Sequence, residues 1–139
     1  MTEDVRYVLD DQIGYVLRRV TQRHLSLFSD AIPQVTTTQF AVLARLAELG
    51  PLSQNHLGRA TAMDAATIKG VVDRLVRQGL VETRPDATDR RRLTVALSDA
   101  GVALFHATTA QALSVSAATL SPLDDGETQQ LMALLARLT

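Results

Sequence analysis

The chain has 139 residues, of which 46% are apolar and 21% charged, with a net charge of -1. This is enough apolar sequence for one domain, residues 1–139, with its own core, and too much for a disordered chain. It contains no cysteine, which excludes disulfides, thiolate metal sites and thiol redox sensing. No apolar run nears the roughly 18 residues needed to cross a bilayer. The acidic opening MTEDVRYVLDDQ is unlike the basic start of an export signal, so the expected location is the cytoplasm, with no membrane partner.

In chain order, DQIGYVLRRVTQRHLSLFSDAI sets Ile13, Val16, Leu17, Val20, Leu27, Phe28 and Ala31 on one stripe, which predicts a long amphipathic helix ending before Pro33. TTTQFAVLARLAELG opens on hydroxyl residues suited to capping and closes on Gly50, the signals of a second helix. LSQNHLGRA predicts a short helix capped by Ser53. MDAATIKGVVDRLVRQG predicts another, capped by Asp64, ending at Gly79 and burying Ile68, Val71, Val72 and Leu75. With the tight link at Thr61 to Met63, these two form a helix-turn-helix. Leu80 to Arg84 predicts one strand. Leu93 to Ser98 predicts a second, because Leu93, Val95 and Leu97 alternate with Thr94, Ala96 and Ser98. Between them Pro85 to Arg92 is polar and projects. Ser98 is placed to cap a long helix, and Ser121-Pro122-Leu123-Asp124 reads as the start of the last one, with Ser121 as cap, Pro122 at N1 and Asp124 at N3. The expected fold is mainly α with a small β-hairpin wing (α+β): a winged helix-turn-helix over 36–98, flanked by long helices at 5–32 and 99–139.

The charge is not spread evenly. Residues 53–98 carry eight basic and five acidic groups, a net of +3, and the remainder of the chain is -4. A basic middle with acidic flanks suits one face meant for a polyanion. The stretch DAATIKG would start the second helix of the motif with a face small enough to enter a major groove. Thr67 and Lys69 would reach base edges, and Ala65, Ala66 and Gly70 would allow close approach. Arg90, Arg91 and Arg92 stand in a row on the wing, where arginine suits a narrow, electronegative minor groove. Asp86 or Asp89 beside them can hold an arginine through a two-point pair. The competing interpretation is a charged, solvated loop that only keeps a hairpin soluble.

Residues 10–138 resemble the MarR family of bacterial regulators. The family's wing carries Asp-x-Arg, three residues, an aliphatic residue, one residue, then Leu-Thr. Here these are Asp89, Arg91, Val95 and Leu97, with Ser98 in place of threonine. DRLVRQGLV is a second matching piece. The resemblance implies a homodimer whose first and last helices intertwine, with two winged helices on a pseudo-palindromic operator in double-stranded DNA, and a repressor answering to a small molecule. It places Thr67, Lys69 and Gly70 at base-facing positions, Arg74 near the phosphates and Arg91 in the minor groove. Ser53, Gln54 and Asn55 start the preceding helix and are placed for backbone phosphate. Many relatives have arginine or serine at the positions of Ala65, Ala66 and Gly70, so specificity is expected to lean on DNA shape and half-site spacing.

The resemblance also implies an effector, often a phenolic or aromatic carboxylate. An aromatic acid effector could pair with His24, aided by Arg19 or its neighbours Arg18 and Arg23, with Phe40 and Met63 lining the same pocket. Each of these has a plainer reading: His24 as a histidine satisfied by a backbone carbonyl, Phe40 and Met63 as core. QRHLSLF, TTTQFAVLARL and AMDAATIKGVVDRL are similar to the subgroup that controls degradation of nicotinate-like and benzoate-like acids. No cofactor, metal site or catalytic residue is expected. His24, His56 and His106 fall on different predicted helices without metal spacing, and no glycine-rich phosphate loop exists. A winged helix serving a protein partner without DNA is the alternative to a DNA-binding regulator, and the basic wing argues against it.

Overall fold

The computed structural model describes residues 3–139. They form two compact units: the residues up to Ala31 together with Ala112–Thr139, and Ile32–Gln111.

In the helical unit, a 3-10 turn at Leu9–Asp11 leads into α1 (Ile13–Ala31). The Gln12 side chain donates to the Val8 carbonyl at 2.9 Å and ties the entry of the helix. Of the predicted stripe, Phe28 is buried, but Ile13, Val16, Leu17 and Val20 are exposed. The C-terminal half of α5 (Asp99–Leu120) and α6 (Asp125–Ala136) complete the unit. The start of α6 differs from expectation. Ser121 donates its N–H to Ala118, finishing α5, and the cap is Asp124, which exchanges bonds with Glu127 in a reciprocal capping box. Two frames competed for the helix start. Asp124 with Glu127 satisfies two orphan N–H groups at once, and Ser121 followed by a proline with no N–H does not.

The winged unit starts with α2 (Thr37–Leu49), capped by Thr36 in a box with Gln39 and closed by Gly50 at φ 77°. Next come a two-residue strand β1 (Leu52–Ser53), α3 (Gln54–Ala60) capped by Ser53, and α4 (Ala65–Arg77) capped by Asp64. The linking turn is tight. Thr61 Oγ1 donates to the Leu57 carbonyl at 2.7 Å, Met63 N–H to the Gly58 carbonyl at 2.8 Å, and Ala62 adopts φ 57°. Val42, Leu43 and Leu46 of α2, Leu57 of α3, and Ile68, Val71, Val72 and Leu75 of α4 meet in one core. The expected stripe on α4 is the buried one.

The wing strands are β2 (Val81–Pro85) and β3 (Leu93–Leu97). β2 starts one residue later than expected because Leu80 N–H still bonds the Leu75 carbonyl of α4. The hairpin is not two-stranded: β1 pairs with the other edge of β3, giving the antiparallel order β1-β3-β2, with Leu52 opposite Val95 and Thr83 opposite Val95 on the other side. Ser98 caps α5 as expected, its Oγ accepting from Gly101 N–H at 3.0 Å while donating to the Gly79 carbonyl at 2.6 Å. That stitch presses the first turn of α5 against Leu80. A Cβ at Gly101 would overlap the Leu80 carbonyl oxygen, whereas one at Gly14 of α1 would meet open space. Gly101→Ala is therefore expected to destabilise the protein by about 2–3 kcal/mol through forced backbone displacement, with Gly14→Ala causing no loss, both read by chemical denaturation.

Candidate nucleic-acid interface

α4 turns its apolar stripe inward, so the opposite side is free. Thr67, Lys69 and Arg74 are exposed there and Gly70 is half-buried. The helix is held at its start by the Asp64 carboxylate, which accepts from Thr67 N–H at 2.7 Å. That bond, seconded by the Thr67 hydroxyl and Ala66 N–H, holds the Asp64 carboxyl below the usual carboxylate range. Lys69 pairs with Asp73 one turn on, at 3.0 Å, with both side chains well exposed, a pair of little energetic weight. The guanidiniums of Arg74 and Arg77 have no partner among the described residues. Nothing lies within 4 Å of a Cβ built on Gly70, so the fold itself does not require glycine there.

The loop Asp86 to Arg92 is organised by its two acids. Asp86 N–H bonds the Arg92 carbonyl at 2.9 Å and Arg92 N–H bonds the Asp89 carbonyl at 3.0 Å. The Asp86 carboxylate accepts from the N–H and hydroxyl of Thr88, both at 2.8 Å, and chiefly that N–H lowers its pKa. Asp89 Oδ1 accepts from Arg91 Nε at 3.2 Å and from Arg91 N–H at 3.0 Å, while its Oδ2 lies 3.5 Å from Arg91 Nη2 and 3.8 Å from Arg92 Nε. The Arg91 guanidinium is the main reason the Asp89 carboxyl sits below its ordinary value. The three arginines are thus not equivalent. Arg91 is held side-on by Asp89, Arg92 is loosely held by it, and Arg90 has no partner among the described residues.

The wing and the start of α3 enclose a cleft of about 300 Å³ lined by Ser53, Gln54, Asn55, Arg59, Arg91, Arg92 and Leu93. The structure therefore brings Ser53, Gln54 and Asn55 together with two of the wing arginines, while Thr67, Lys69, Gly70 and Arg74 lie along α4. The Ser53 hydroxyl is occupied as a cap, accepting from His56 N–H at 3.2 Å. Arg59 had counted in the sequence only as one charge among many. Its presence in the cleft depends on the pairing of β1 with β3, for which a two-residue strand leaves no periodic signal.

The residues considered for an effector fall on both units. In the helical unit, half-buried His24 places Nδ1 2.8 Å from Thr119 Oγ1, and that hydroxyl donates its own proton to the Val115 carbonyl at 2.9 Å. The hydroxyl is then left to accept, so His24 Nδ1 donates to it, and in the neutral ring Nε2 is the acceptor. Its partner is this threonine and not a backbone carbonyl. Arg23 donates to the Ala118 and Thr119 carbonyls at the C-terminal end of α5, and Arg19 lies 6.0 Å from the Tyr15 ring centre. In the winged unit, Phe40 packs on Phe105 with ring centres 5.5 Å apart, and Met63 lines a small cleft with Gly58 and Ile68. Among the described residues no three His, Cys, Asp or Glu side chains gather as metal ligands, and no helix is long and apolar enough to cross a membrane.

The MarR family profile matches residues 34–92, from the start of the winged unit to the last wing arginine. The HTH-type transcriptional repressor NicR of Pseudomonas putida is 38% identical over 138 residues, 98% of this chain and 87% of the relative. The chain belongs to the MarR family. A crystal structure of a probable transcriptional regulator from Pseudomonas aeruginosa matches with a TM-score of 0.92 at 51% identity, covering 95% of this chain and all of that one. Bordetella bronchiseptica BpsR, whose structure is described as the mechanism for regulation of its DNA binding by 6-hydroxynicotinic acid, matches with a TM-score of 0.91 at 34% identity over 96% of this chain and 97% of its own. The winged helix described above is thus the fold of a MarR-family DNA-binding transcriptional regulator, and the named relatives are regulators, not enzymes. Gly70 is an expected base-facing position at which the fold does not require glycine. Gly70→Ala is expected to raise stability by up to about 1 kcal/mol, the helix-propensity difference, and to weaken duplex binding about tenfold, or about 1.4 kcal/mol. Melting curves and duplex titrations on one preparation read both effects, and unchanged affinity would remove Gly70 from the interface.

Proposed function

We propose that this regulator binds a pseudo-palindromic operator as a homodimer, represses transcription there, and is released by a small aromatic carboxylic acid. The observation that carries the DNA reading is the placement of cations. Arg59, Arg74, Arg77 and Arg90 lie on the winged unit with no acid to answer them among the described residues, and a polyanion supplies what the fold withholds. On this reading α4 enters the major groove. Thr67 and Lys69 meet base edges, with Lys69 exchanging Asp73 for DNA, and Gly70 lets the helix seat closely. Arg74, Ser53, Gln54 and Asn55 face phosphates, and Arg91, aimed by Asp89, enters the adjacent minor groove with Arg90, while Arg92 contacts the DNA beside it. Few side chains here can read bases directly, so sequence preference rests largely on DNA shape.

The homodimer rests on the helical unit. Ile13, Val16, Leu17 and Val20 of α1, Leu113 of α5, and Met132, Leu134 and Leu138 at the C-terminal end are exposed, an apolar surface that soluble proteins rarely leave open. The effector reading rests on His24 and on the relatives. With Nδ1–H committed to Thr119, Nε2 can accept from a ring hydroxyl, and an arginine such as Arg19 can answer the carboxylate of the same ligand. Hydroxylated nicotinates and benzoates have both groups, and 6-hydroxynicotinic acid is the compound named for BpsR.

Replacing Arg90, Arg91 and Arg92 together with alanine is expected to cut duplex affinity about a hundredfold or more at moderate salt, since up to three cationic contacts to the duplex go, while the circular dichroism melt stays in place. Unchanged affinity would sink the wing's role. Hydroxynicotinates and hydroxybenzoates are expected to dissociate the wild-type complex and to lose that effect in His24→Ala. If none of them binds or weakens DNA binding, the effector reading fails. Sedimentation is expected to give twice the chain mass, and a stable monomer at micromolar concentration contradicts the dimer.

A further inference from the structure

We infer that Arg59 and Arg92 hold one and the same DNA backbone phosphate, in the cleft between α3 and the wing, so that the helix-turn-helix and the wing share a single phosphate clamp. The inference rests on the DNA-binding reading above and adds to it a residue and a shared contact.

Three observations carry it. The first is shape: the cleft is a formed concavity of about 300 Å³ with the start of α3 and Arg59 on one side and Arg91 and Arg92 on the other. Asn55 and Arg59 are one helical turn apart, so they share a face of α3. The second is rigidity. Leu52 and Ser53 pair with Val95 and Thr94, which ties the start of α3 to the strand that leaves the wing. The two walls cannot drift apart without breaking the sheet. The third is charge. Three guanidiniums border the cleft, and the nearest acid, Asp89, has both oxygens turned to Arg91 and Arg92. Arg59 has no partner among the described residues. Guanidinium forks match phosphate oxygens two at a time, and the Gln54 and Asn55 amides add N–H donors for the remaining oxygens. A phosphate between the walls answers Arg59, relieves the repulsion across the cleft, and leaves the Asp89–Arg91 pair intact.

A phosphodiester of duplex DNA and a free phosphate share this chemistry, and the assignment here is to the diester. The test measures binding of the full-length protein to the duplex upstream of its own gene and to a random duplex over a range of salt. Loss of one phosphate contact lowers the slope of log affinity against log salt by about 0.9. Arg59→Gln is expected to lower it by that amount and to weaken both duplexes equally, and Arg59→Lys is expected to restore the slope. Arg59→Gln combined with Arg92→Gln is expected to lose about one phosphate's worth of slope, not two, because the clamp needs both residues and losing either already releases the phosphate. An unchanged slope in Arg59→Gln, or strict additivity in the double variant, overturns the proposal. So does a melting temperature raised by inorganic phosphate over chloride at equal ionic strength, lost in Arg59→Gln while its duplex slope is unchanged, which would give the cleft to free phosphate. A wild-type protein that binds neither duplex overturns the DNA reading and this one with it.

Discussion

The winged unit depends on strand β3. Val95 is fully buried, and the strand is hydrogen-bonded on both edges, to β1 and to β2. One edge holds the start of α3, the other holds the strand that follows α4, and its two ends carry the wing arginines and the Ser98 cap of α5. The start of α3 and the wing arginines are therefore tied directly to one buried strand, and α4 is tied to it through β2. A helix-turn-helix and a flexible loop would otherwise have to be ordered separately at each encounter, at an entropic cost for every side chain fixed. Here much of that order is present before DNA arrives.

Local charge is arranged on the same principle, although the chain as a whole carries only -1. Asp73 and Glu82 pair with Lys69 and Arg84 on the surface, but the other three acids of residues 53–98 have structural tasks. Asp64 caps α4, Asp86 folds the wing by accepting from Thr88, and Asp89 aims Arg91. All three carboxyls are held below their usual range by those bonds. Spent on the backbone or on Arg91 and Arg92, they leave Arg59, Arg74, Arg77 and Arg90 without an acid partner among the described residues. A protein with a modest net charge can in this way present a strongly cationic edge without becoming a general polycation.

Much of this was legible in the residues. The stripe Ile68, Val71, Val72 and Leu75 and the caps Ser53, Asp64 and Ser98 each state a local rule, and the fold agrees with each. Leu93 to Leu97 forms the expected strand, but the expected alternation does not hold: Leu93, at the wing end, is exposed, and Ala96 is buried beside Val95. What was not legible involved pairing at a distance or competition between similar signals. β1 is too short to show a period, so the third strand and the place of Arg59 could not be read. Ser121 and Asp124 both look like caps, and only the reciprocal bond with Glu127 decides between them. The wing acids were recognisable as neighbours of arginines, but not their division of labour, in which one shapes the loop and the other aims a side chain. Thr119 as the partner of His24 lies 95 positions away, beyond any local pattern.

The most direct test of this account is fluorescence anisotropy of the purified protein on the duplex upstream of its own gene, against excess random duplex, across a range of salt. The account predicts tight binding that survives the competitor and falls steeply with salt, by a slope of about 0.9 for each phosphate neutralised. Binding no tighter than to random DNA, with a shallow salt dependence, would contradict it.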